Sequence, residues 1–132
     1  MPQQITKGIK TLLAEAEAVV ETMPVSDAKT LYDDADHVFV DLRDIREIQR
    51  SGMIPGAFSC PRGMLEFWID PESPYHKDVF AQDKTFVFYC ASAWRSALSA
   101  KAAQEMGLSP VKHLEGGFTE WLKQDGPVAQ KE

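Results

Sequence analysis

Cys90 and Arg95 bracket a short run of mostly small residues, Cys90-Ala-Ser-Ala-Trp-Arg-Ser96. A cysteine attacks as its thiolate, and an ordinary thiol, with a pKa near 8.5, is mostly protonated at neutral pH. A short loop can curl so that successive backbone N–H groups converge above the sulfur, and a helix starting behind it adds partial positive charge. Both effects favour the thiolate without a dedicated base. The pattern therefore nominates Cys90 as a nucleophile and Arg95 as a fixed cation beside it, with Ala91, Ser92, Ala93, Trp94 and Ser96 as an anion cradle. Taken alone, the cysteine reads equally well as a small packed side chain, since free cysteine is among the most buried residue types. The ordered set of strand, cysteine, loop, arginine and helix favours the nucleophile.

The other reactive side chains read differently. Cys60 is either a resolving thiol for Cys90 or a small apolar residue in a turn-like segment; an unpaired cysteine is usually the latter. His37, His76 and His113 have no partners at ligand spacing, and no CxxC pair occurs, so no metal site and no cofactor are expected. Arg43 and Arg62 could gather an anionic substrate, but neighbouring Asp41, Asp44 and Glu66 make them structural ion-pair partners. Trp94, inside so short a loop, must point outward. Trp68 and Trp121 are core candidates.

Positioning a cysteine this way requires a strand that ends at it. Thr85 to Cys90 and His37 to Leu42 are short apolar runs without clean alternation, the pattern of strands buried on both faces of a parallel sheet. Val111 to Leu114 is a weaker third strand. The alanine-rich stretch from Arg95 to Met106, closed by Gly107 and Pro110, is a helix, which completes a βαβ unit and an α/β fold. Phe118, Trp121 and Leu122 form one face of a last short helix behind Gly116-Gly117. At the other end, Ile5, Ile9, Leu12, Leu13, Ala16, Val19 and Val20 recur at helical spacing. Ser26 is expected to cap a short second helix. Residues 1–24 thus read as an amphipathic helical extension and 25–132 as the main domain.

Composition narrows the classes. The chain has 132 residues, one domain's worth, with 44% hydrophobic and 26% charged residues, a globular balance. Its net charge of −6, with no basic cluster, disfavours nucleic-acid binding through phosphates. Glu15 and Glu17 interrupt the N-terminal apolar stretch, which does not read as a signal peptide, and nothing approaches a membrane span. Two cysteines without scaffold spacing suit a reducing, cytoplasmic setting.

The loop from Cys90 to Ser96 closely resembles the active-site loop of rhodanese domains, which carry sulfur as a cysteine persulfide. Val40-Asp-Leu-Arg-Asp44, Ile54-Pro-Gly-Ala57 and Leu114-Glu-Gly-Gly-Phe118 with Trp121 resemble further signatures of that family, in the expected order. Arg62 to Trp68 and Asp70 to Lys77 are similar to a subgroup of single-domain bacterial members. The resemblance runs from about Val25 to Pro127. It implies a three-layer α/β fold with a parallel, about five-stranded sheet and helices on both faces. It also implies transfer of a sulfane sulfur from a thiosulfate-like anion to a thiol, a protein thiol or cyanide through a Cys90 persulfide. Two residues depart from the family pattern: Ala93 stands where glycine is common, and Met53 where some relatives have histidine.

Two other readings compete. The related cysteine phosphatases and arsenate reductases resemble a pattern with five residues between cysteine and arginine, a ring for a tetrahedral oxyanion. This chain has four, Ala91 to Trp94. A rhodanese-like interaction module without activity is the third reading, although many such modules lack the cysteine.

Overall fold

The computed structural model describes residues 2–130. Six α-helices and five strands alternate along the chain as α1 (Ile9–Val19), β1 (Glu21–Met23), α2 (Val25–Leu31), β2 (His37–Asp41), α3 (Ile45–Ser51), β3 (Phe58–Ser59), α4 (Leu65–Ile69), β4 (Thr85–Tyr89), α5 (Trp94–Glu105), β5 (Val111–Leu114) and α6 (Gly117–Lys123). The strands form one parallel sheet in the order β1-β5-β4-β2-β3.

The two apolar runs read as doubly buried strands are the centre of that sheet. Val38, Val40, Phe86 and Phe88 face one side, where α4 and α5 cover them through Leu65, Ile69, Ala100 and Ala103. Phe39, Val87 and Tyr89 face the other, under Val25 and Ala28 of α2 and Phe118 and Trp121 of α6. Alternate side chains on each strand therefore enter different cores, which is why neither run shows a polar face. The result is the expected three-layer α/β fold. The alanines of α5 let that helix lie close on the sheet.

Several local expectations change. Ser26 is not a cap: Pro24 holds that position and Ser26 lies inside α2, whose first turn Pro24 begins with a preset φ. The first helix starts at Ile9, leaving Ile5 exposed outside it; Leu13 and Ala16 pack against Ala97 of α5, while Ile9, Leu12 and Val19 remain exposed. Within the stretch read as a helical extension, Glu21–Met23 is a strand that pairs with β5. Phe58–Ser59, within the turn-like segment Ala57–Pro61 that holds Cys60, is the opposite edge strand. Both are too short to carry a period. Among the described residues, no helix is long and apolar enough to cross a membrane.

Candidate active site

The site is built where β4 ends. Tyr89 is the last strand residue, Cys90 follows at the carboxyl edge of the central strand, and α5 begins at Trp94. This is where the loops of an open α/β sheet place ligands. The Cys90 side chain turns back under the start of α5, and the Ser96 backbone N–H donates to its Sγ at 3.4 Å. Ser96 is the third residue of that helix, so its amide is one of the first-turn donors that lack an intrahelical partner. Ala93 in the N-cap position makes no side-chain cap. Cys90 sulfur therefore occupies the place of an N-cap acceptor, held by a hydrogen bond and the helix dipole together.

The loop turns through Ala93, at φ 80° and ψ −8° in the left-handed region. The backbone that glycine usually supplies at this point is thus retained by an alanine, at a cost of about 1–2 kcal/mol of local strain. Among the described residues, the amides of Ser92, Ala93, Trp94 and Arg95 have no protein acceptor. They line the loop with unpaired donors. Ser92 and Trp94 are exposed, Ala91, Ala93 and Arg95 half-buried, and Cys90 and Ser96 buried. Trp94 points outward as expected, 56% exposed.

A second clamp comes from α6. The Phe118 N–H donates to the Cys90 carbonyl at 2.8 Å and the Thr119 N–H to the Ala91 carbonyl at 3.0 Å. Such close approach requires Gly117: at φ +64°, a Cβ there would lie 2.5 Å from the Cys90 carbonyl oxygen. Gly117, read in the sequence as part of the turn and signature before the last helix, therefore fixes the backbone at Cys90.

Arg95, expected as a fixed cation beside Cys90, is held in place by an acidic partner. Its two terminal nitrogens donate to Glu47 at 2.8 and 2.9 Å, a bidentate pair between α5 and α3. Arg95 holds the Glu47 carboxyl down from 4.5 to about 2, against a smaller opposing effect of burial. Glu47 in turn raises the Arg95 guanidinium, with a smaller effect of Cys90 in the same direction. Glu47 was missed in the sequence. Its signal is Asp44-x-x-Glu47, a capping box in which Asp44 accepts from the helix and Glu47 from the Asp44 N–H at 3.0 Å.

The remaining candidates fall into structural roles. Arg43, 2% exposed, forms a buried pair with Asp41, also donates to Ser51 Oγ and the Gly52 carbonyl, and lies 4.3 Å over the Phe118 ring. Arg62 pairs with Glu66 at 2.8 Å. Cys60 is fully buried in the α4 and α5 core, and that burial pushes its thiol up to about 12. A thiol so held is a packed apolar group. Trp121 is buried and Trp68 half-buried. Among the described residues no cluster of ligating side chains could hold a metal. Beside Ala91, a cleft of about 270 Å³ runs between α3 and α6, lined by Arg50, Ser51, Phe118, Thr119 and Leu122.

A parallel five-stranded α/β sheet with a thiol seated under a helix N-terminus agrees with what the comparisons find. The family model of the rhodanese-like domain matches residues 24–124, and the chain belongs to that family. It is similar to the mouse "Thiosulfate sulfurtransferase/rhodanese-like domain-containing protein 3", 25% identical over 123 residues that cover 87% of this chain and 78% of the mouse protein. Among solved structures, a protein from Rhodopseudomonas palustris of unknown function, described as a possible tyrosine phosphatase, is 59% identical, with a TM-score of 0.95 over 98% of this chain and 99% of its own. The human single-domain sulfurtransferase TSTD1 shares the fold at a TM-score of 0.68 and 22% identity, covering 80% of this chain and 97% of its own.

Proposed function

We propose that this rhodanese-like protein is a sulfurtransferase that carries a sulfane sulfur on Cys90, loaded from thiosulfate or a similar persulfide-type donor. The observation that carries this reading is the seat of Cys90 sulfur on the Ser96 amide, beneath a loop of only four residues lined with unpaired N–H groups. In the first step the Cys90 thiolate attacks the outer sulfur of thiosulfate. The new S–S bond forms as the donor's S–S bond breaks, and its electron pair leaves with sulfite. The product, a persulfide, extends the side chain by one S–S bond of about 2 Å, with the stabilisation of its negative charge assigned to the loop amides in this reading. In the second step an acceptor thiolate or cyanide attacks the outer sulfur and the Cys90 thiolate departs. No water activation is needed in either step.

The Rhodopseudomonas palustris protein is described as a possible tyrosine phosphatase, which makes phosphatase activity the competing reading. Loop length argues against it here. A tetrahedral oxyanion needs donors on three oxygens, whereas the four residues between Cys90 and Arg95 enclose a smaller ring, suited to one sulfur. The bidentate Glu47 contact further lowers the charge that Arg95 offers a dianion. The deciding assay incubates the protein with thiosulfate and reads the intact mass. The expected result is a gain of one sulfur on Cys90, discharged by cyanide and absent in Cys90→Ser, with no turnover of an aryl phosphate. Cys90-dependent phosphate release would replace this reading by the phosphatase, and a Cys90→Ser protein that retains all cellular function would replace it by the interaction module.

A further inference from the structure

The residues before the family match reach the back of the active site. Thr22 and His113 are direct neighbours across β1 and β5. The Thr22 hydroxyl lies 3.1 Å from His113 Nε2, and on the other side of the ring His113 Nδ1 lies 3.3 Å from Ser96 Oγ. Ser96 Oγ is also 3.2 Å from the Ala93 carbonyl oxygen. His113 itself is 3% exposed.

Proton counting gives this chain of contacts a direction. A carbonyl can only accept, so the single Ser96 hydroxyl proton goes to Ala93, and the oxygen then accepts from His113 Nδ1–H. Burial disfavours a charged imidazole and lowers its pKa, against a weaker opposing effect of Glu17. In a neutral ring protonated at Nδ1, Nε2 is an acceptor, and the Thr22 hydroxyl supplies the donor. Each proton then has one acceptor, from Thr22 through His113 and Ser96 to Ala93. The chain ends on the loop's one left-handed alanine, and it passes through the residue whose backbone N–H holds Cys90 sulfur. Leu13 and Ala16 of α1 pack on Ala97, the next residue of α5. The N-terminal segment thus supports the first turn of α5 at two adjacent points.

We infer that Thr22 and His113 are positioning residues for the nucleophile, and that the segment preceding the family match, through Thr22, sets how firmly the Ser96 amide holds Cys90 sulfur. The inference rests on the reading above only for the role of Cys90 as the nucleophile. A serine hydroxyl tied at both ends fixes the rotation of the first helical turn, and a hydrogen bond to a thiolate is sensitive to small changes in that rotation.

The test is the pH profile of Cys90 alkylation by iodoacetamide in the full chain, followed on the Cys90 peptide by mass. Cys60, buried in the core, stays silent across the range used. Thr22→Val keeps the size of the side chain and removes its donor; it should move the profile to higher pH and slow alkylation near neutrality by about threefold, the scale of one weakened hydrogen bond. His113→Phe should do the same, and Thr22→Ser should restore the parent profile. A folded Thr22→Val protein with an unmoved profile overturns the inference, as does a lower melting temperature without a moved profile. Thr22 lies exposed on an edge strand, so its variant decides the matter if His113→Phe does not fold. Alkylation needs no sulfur donor. A moved profile in a protein that accepts no sulfur from thiosulfate would remove the proposed activity and leave this inference standing.

Discussion

Arg95 places both terminal nitrogens of its guanidinium on the carboxylate of Glu47, at 2.8 and 2.9 Å, joining the first turn of α5 to the first turn of α3. The pair spans 48 residues of sequence. Arg95 is therefore a placed hydrogen-bond donor with its charge largely compensated.

Replacing Glu47 by glutamine should uncouple the two helices. The pair is partly exposed, with side chains 42% and 25% accessible, so its loss should cost about 0.5–1 kcal/mol of stability, the range of pairs open to solvent. Sulfur loading from thiosulfate should slow roughly tenfold, because the guanidinium loses its orientation near the reacting atom. Unchanged loading kinetics in Glu47→Gln would show that Arg95 keeps its place without its partner.

The same pair has a pH signature. The folded-state Glu47 carboxyl lies near 2, below its ordinary 4.5. Its contribution is fully present above 4.5 and disappears as pH falls from there through about 2. The stability difference between the parent protein and Glu47→Gln should therefore shrink over that interval. Denaturant titrations at neutral pH and at two acidic values would show it, and a gap that stays constant would refute the assignment.

Ala93 carries a conformation that glycine adopts freely. Ala93→Gly should remove about 1–2 kcal/mol of left-handed strain while increasing the freedom of the unfolded chain by about 0.4–1 kcal/mol. The expected net effect is a modest stabilisation, on the order of 0.5–1 kcal/mol, read as a higher melting temperature. A destabilised Ala93→Gly protein would mean that the alanine methyl makes contacts that outweigh its strain.

Gly117 and Gly56 provide an internal comparison. Both have positive φ, but a Cβ on Gly117 would strike the carbonyls of Cys90 and Ala91, whereas one on Gly56 would meet nothing within 4 Å. Gly56→Ala should cost only the backbone term, about 1–2 kcal/mol. Gly117→Ala should cost about 2–4 kcal/mol and abolish sulfur loading by displacing the backbone at Cys90. Equal costs in thermal or denaturant unfolding would mean that the steric contact relaxes freely.

The residues from Cys90 to Ser96 nominate a candidate nucleophile in a loop, because the pattern is local: a cysteine at a strand end, small residues, and a helix start are all contiguous in the chain. The central strands were legible for a similar reason, since burial on both faces leaves an apolar run in His37 to Leu42 and Thr85 to Cys90. Edge strands β1 and β3 were not, being three and two residues long and formed by pairing with distant strands rather than by any period of their own. Glu47 opposite Arg95, Thr22 behind His113, and Gly117 against the Cys90 carbonyl are likewise contacts between segments far apart in sequence. Electrostatic pairing and steric fit depend on distances that only the folded sheet sets. The sequence alone therefore nominated Cys90 and the backbone expected around it, and the tertiary structure decided that Glu47 compensates Arg95 and which residues hold the Cys90 sulfur in place.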